Sequence, residues 1–220
     1  MKQNRENPFF ETYRTPFGTP PFDQIETEQY EPAFDEGIWQ LDEEVRAIAD
    51  NTELPTFENT IIALERSGKL LDKVISAFFN VLNAEADDEM MDISQRVSPK
   101  LSESSNNIYL NEQLFARVKS VYDRKDELHL PMEDARLLEK TFEAFCARGA
   151  ALGPEEKEKY RKLSSELSLL SLTFDQNALK DKNRYELLLT KEDELEGLPE
   201  SIREAAALRL SLIHISEPTR

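Results

Sequence analysis

The chain has 220 residues and a net charge of -17 at pH 7, and that acidity argues against a nucleic-acid binder, since no basic stripe offsets the repulsion of phosphate. One cysteine excludes an internal disulfide framework. With 39% hydrophobic residues, 32% charged residues and only 6 glycines, the composition favours an all-α protein with a real core and a self-repelling surface.

The opening MKQNRENPFFETY has no apolar signal region, and no run approaches membrane-spanning length, so a cytoplasmic protein that does not engage a membrane is expected. Residues 1–26 set Phe9, Phe10, Tyr13, Phe17 and Phe22 among Pro8, Pro16, Pro20 and Pro21. Proline removes backbone donors and fixes φ, so this reads as an extended arm whose rings anchor it on a helical surface. A helix is predicted from Thr27 as N-cap, with Pro32 in its first turn and Ala33, Phe34, Ile38, Leu41, Val45 and Ile48 on one face. A second starts after Thr56 and carries Phe57, Ile61, Leu64, Leu71, Ile75, Phe78 and Leu82 at near-heptad spacing, read as one continuous helix. A third begins at Asp87-Asp88-Glu89, where Pro99 should kink or split it. NEQLFARVKSVYDRKDEL gives a fourth with Leu114, Val118 and Val121 inward. PMEDARLLEKTFEAFCARG gives a fifth, with Pro131 in its first turn and a stop at Arg148-Gly149. The sixth and longest starts at GPEEKEKY. Tyr160, Leu163, Leu167, Leu170, Phe174 and Ala178 form its apolar stripe, with Ser164, Ser165, Ser168 and Ser171 as a flank that permits close packing. RYELLLT (184–190) is the one short strand expected, and a last helix opens at Pro199. No linker divides residues 27–209, read as one helical lobe, incomplete at its C-terminal end.

The chain offers little that could do chemistry. Its histidines, His129 and His214, stand in HLPME and IHISEP, so no HExxH pair exists for a zinc hydrolase. His129 reads as a surface turn residue. Cys146, beside Phe142 and Phe145, reads as a small core residue. EADDEMMD lacks the alternating ligands and central glycine of a calcium loop, and acid pairs such as Glu43/Glu44 and Glu155/Glu156 are too common here to mark acid–base catalysis. No catalytic, cofactor-binding or metal residue is assigned.

Several stretches nevertheless resemble, in order, the N-terminal part of the zinc oligopeptidases related to thimet oligopeptidase, with bacterial peptidyl-dipeptidases nearest and oligopeptidase A a cousin. They are NPFFETYRTPFGTPPFDQIETEQYEPAFDEGI, PTFENTIIALERSGKLL, FFNVLNAEADDEM, SNNIYLNEQLFARVKSVYD, YRKLSSELSLLSLTFDQNAL and LPESIREAAA, which span most of residues 7–207. PTFENT and ELSLLSLTFDQN are the most specific. The resemblance implies an all-helical, ellipsoidal enzyme with a central channel that admits short peptides. It also implies a catalytic half, further along the chain, that supplies HExxH and a distal glutamate to zinc. This chain stops before any such motif, so no zinc ligand or base carries over, and on this reading it is inactive alone, its partner being the missing C-terminal half.

The final LSLIHISEPTR, residues 210–220, changes character. It has neither helical stripe nor capping signal, and it matches the translation of a transposon-end adapter used in tagmentation sequencing libraries. It is read as a scar, not native sequence. The competing reading is a natural, non-enzymatic helical adaptor that acts through its Phe-rich arm or an exposed groove. The missing histidines nearly exclude a complete small hydrolase.

Overall fold

The computed structural model describes residues 7–85, 87–184 and 193–215. Every regular element in them is helical. The chain divides into two compact units, Met1–Gln176 and Asn177–Arg220.

In the first unit, residues 7–26 are irregular apart from two short 3-10 turns, Pro8–Phe10 and Pro16–Gly18. Asn7 Oδ1 accepts from the Phe9 N–H at 3.1 Å, and its amide donates to the Gln29 carbonyl at 2.8 Å. Lys73 Nζ donates to the carbonyls of Phe9 at 2.8 Å and Glu11 at 2.6 Å and lies 3.7 Å above the Tyr13 ring. Phe9 is buried against Tyr30, with ring centroids 5.3 Å apart, and Phe10 and Tyr13 are partly buried, whereas Phe17 and Phe22 are exposed.

Helix α1 (Tyr30–Ala49) follows a 3-10 turn at Thr27–Gln29. Glu26, not Thr27, caps this start: its N–H donates to Gln29 Oε1 at 2.9 Å, and the turn absorbs Thr27. The long second helix of the sequence reading is in fact two. Thr56 and Asn59 form a reciprocal capping box at 3.1 and 2.8 Å. A π-turn at Phe57–Ile62 then runs into α2 (Ala63–Glu65). The chain breaks at Gly68, whose φ of 75° suits glycine, and whose N–H donates to Glu44 at 2.7 Å; α3 (Lys69–Glu85) starts afresh. The heptad-like spacing runs across this break because both segments bury apolar residues, but in different cores.

The first core joins Phe9, α1, α3 and α4 (Asp88–Tyr109) through Tyr30, Phe34, Val74, Phe78, Ile93 and Val97. Phe78 meets Phe34 edge-on, with centroids 5.3 Å apart. Gly37 lets α1 and α3 touch, since a Cβ there would lie 3.0 Å from Leu71 Cα. Pro99 does not split α4. The helix runs unbroken past it, with the Ser94 and Ser98 hydroxyls bonded back to carbonyls at 2.7 Å and the buried Met90, Ile93 and Val97 holding the turns before it.

The second core gathers the end of α1, the π-turn, α5 (Glu112–Tyr122) and α6 (Met132–Ala147) around Val45, Ile61, Leu114, Val118, Val121, Leu138 and Phe145. Pro131 precedes α6 as its N-cap, and the helix ends before Gly149 at φ 88°. Cys146 is exposed, contrary to the core role expected of it. Leu138, Phe142 and Phe145 share the inward face, and the next residue turns about 100° away.

Helix α7 (Pro154–Arg184) follows. The expected strand at 184–190 is not found: Arg184 closes α7, residues 185–190 lie outside the described residues, and no strand occurs among those described. In the second unit a 3-10 turn at Asp193–Leu195 and Gly197 (φ 85°) precede α8 (Glu200–Ile215). Arg203 Nε donates to the Leu198 carbonyl at 3.1 Å. Helix α8 continues past Leu210, where no helical stripe was read. Leucine is a strong helix former, and the first breaker, Pro218, comes later. Among the described residues no helix is long and apolar enough to cross a membrane.

Candidate functional site

Among the described residues no three of His, Cys, Asp and Glu are placed to hold a metal ion. His129 is exposed in the α5–α6 connection, with φ 47°. The acid pairs have structural work. Glu43 pairs with Arg46, Glu44 holds Gly68, and Glu156 accepts from the Gly153 N–H at 3.1 Å. Asp87 of the EADDEMMD run caps α4, accepting from the Met90 N–H at 2.8 Å.

The PTFENT motif is held by two arginines of the α5 region. Arg117, itself buried, donates to the carbonyls of Asn51 at 2.6 Å and Glu53 at 3.0 Å and to Asn59 Oδ1 at 3.0 Å. Arg124 reaches the Pro55 carbonyl. Among the described residues no carboxylate pairs with the Arg117 guanidinium, and its buried Nε finds no acceptor. Backbone dipoles and the Asn59 amide therefore carry the cost of burying this cation.

Helix α7 turns its polar side, not its leucines, to the helices before it. Its polar side faces α4 and the start of α5 in an antiparallel seam. Gln176 pairs with Gln95 at 3.0 Å, Asn106 donates to Ser164 at 2.8 Å, Arg161 donates to Asn107 at 2.8 Å, and the nearly buried Lys157 donates to Glu112 at 2.9 Å. An open cleft of about 390 Å³ beside the seam is lined by Ser98, Ser102, Ser105, Tyr160, Ser164 and Ser168, among others. Of the apolar stripe, Tyr160 stays on the cleft side, whereas Leu163, Leu167, Leu170 and Phe174 point the other way and are 55%, 64%, 60% and 72% exposed. The sequence predicts the stripe and a serine flank that permits close packing, and the structure shows that the packed side is the serine flank, not the leucines. A signal for the true arrangement was present in α4, where SSNN at 104–107 needs hydrogen-bonding partners, and the serine side of α7 can supply them.

No protein-family model matches the chain. It is 40% identical over 194 residues to dipeptidyl carboxypeptidase of Escherichia coli K12, covering 88% of this chain and 28% of that protein. It is 37% identical over 201 residues to dipeptidyl carboxypeptidase of Salmonella typhimurium, covering 91% of this chain and 30% of that protein. The chain is a homologue of part of the dipeptidyl carboxypeptidases. Oligopeptidase A of Haemophilus influenzae is more distant, 26% identical over 189 residues, with 86% of this chain and 28% of that protein covered. The chain thus spans less than a third of the length of these relatives. The described residues, whose regular elements are all helical, agree with the resemblance drawn from PTFENT and ELSLLSLTFDQN.

Proposed function

We propose that this chain is the N-terminal helical portion of a zinc-dependent, cytoplasmic peptidyl-dipeptidase, that it walls one side of a channel for short peptides, and that it has no activity alone. The observation that carries this reading is the coverage. Relatives named dipeptidyl carboxypeptidase match 88–91% of this chain, yet the chain covers only 28–30% of them. The chemistry of the parent then resides in residues beyond those present here. The donors of this chain do not fit a catalytic zinc, because no suitable cluster occurs among the described residues and His129 stands alone on a turn. No catalytic step is assigned to them. Residues 210–220 are proposed to be adapter-derived, and their removal leaves the net charge at -17, because Glu217 and Arg220 cancel.

The test is to express two proteins, residues 1–209 and the full reading frame from source DNA, and to follow dipeptide release from an N-blocked tripeptide. The full product should release the C-terminal dipeptide and stop when zinc is chelated, and residues 1–209 should release none. A full product that leaves the peptide intact, or an active 1–209, would overturn the proposal.

A further inference from the structure

We infer that the outer face of α7, formed by Leu163, Leu167, Leu170 and Phe174, is an internal docking face, covered in the complete protein by an apolar surface from the portion that follows this chain. The inference rests on the peptidase-fragment reading above. The four side chains succeed one another at steps of four, three and four residues, which places them within one narrow arc of the helix. All four are more than half exposed. Burial would favour the opposite orientation, with leucines inward and serines outward, if the chain before α7 were their intended partner. Instead the polar side is already engaged with α4 and α5 through Gln176, Ser164, Arg161 and Lys157, so α7 cannot turn its leucines inward without breaking that seam. An apolar row held outward by specific polar contacts on its far side is how a helix looks when it is sandwiched between two layers and one layer is missing. The length to supply that layer exists, because the relatives extend well beyond the region this chain matches.

The test compares Leu167→Lys/Leu170→Lys in two proteins, this chain and the product of the full reading frame. Lysine and leucine are both good helix formers, so the substitution leaves α7 itself intact. In this chain the Tm should move by no more than about 2 °C, and the fluorescence of a dye that binds apolar surface should fall. In the full product the Tm should drop by roughly 5 °C or more. Equal, small shifts in both proteins would overturn the docking face while leaving the peptidase reading intact. A frame that does not continue would instead overturn the peptidase reading. Sedimentation supplies a further arm. If this chain is a dimer that the substitution dissociates, a second copy occupies the face and the inference fails; a monomer with and without the substitution supports it.

Discussion

Helices α3 and α7 carry the same kind of apolar row and have opposite fates. On α3, Leu71, Val74 and Phe78 recur at steps of three and four and are buried against α1 and α4. On α7, Leu163, Leu167, Leu170 and Phe174 recur in the same way and face outward. The difference lies in the neighbours. Helix α1 offers α3 an apolar partner and, at Gly37, room for close approach. Helix α4 offers α7 a run of serines and asparagines, and α7 answers with its own polar side. Periodicity reveals that a helix has an apolar face, whereas the partner's chemistry decides which face is engaged.

The contrast can be broken most sharply with the two phenylalanines. Phe78→Ala should destabilise the chain by about 3–5 kcal/mol in denaturant unfolding, because it empties the centre of an aromatic cluster. Phe174→Ala should change stability by less than about 0.5 kcal/mol, since the ring is exposed. Similar losses for both would place α7 in a core after all.

Arg117→Met examines a buried contact that periodicity does not reveal. It should cost about 2–3 kcal/mol in the same unfolding experiment, because the carbonyls of Asn51 and Glu53 and the Asn59 side chain lose a charged donor. A neutral effect would mean that water replaces the guanidinium without cost.

A smaller effect should appear at high pH in the segment before α1. The Tyr13 phenol is pushed up from 10.0 to about 12, first by burial and then by the neighbouring Tyr30. The unfolded chain gives up that proton first, so the stabilisation is complete below pH 10 and is lost as pH rises through about 12. Lys73 acts in the opposite sense, since burial lowers its ammonium pKa against the pull of Glu11. Subtracting the Tyr13→Phe ultraviolet titration from that of the parent should isolate a phenolate step near pH 12; a step near 10 would mean that the ring is solvated.

How far the sequence could be read depended on where each partner lay. The apolar rows of α1 and α5 were legible because Val45, Ile48, Leu114, Val118 and Val121 pack on helices of the same chain. The break at Gly68 was hidden, because the apolar spacing continues across it while its two sides serve different cores. Cys146 misled through its aromatic neighbours, which lie on the helix face it turns away from. Arg117 was not legible, because nothing local marks an arginine whose partners lie more than fifty positions earlier in the chain.

The most direct test of the whole account is a sequencing read. Source DNA amplified with a forward primer in the ELSLLSLTFDQN codons and read past codon 220 should lose the LSLIHISEPTR codons and continue in frame to an HExxH. If those codons are present in the genome and followed by a stop, the chain is a natural short helical protein, and the peptidase-fragment account is wrong.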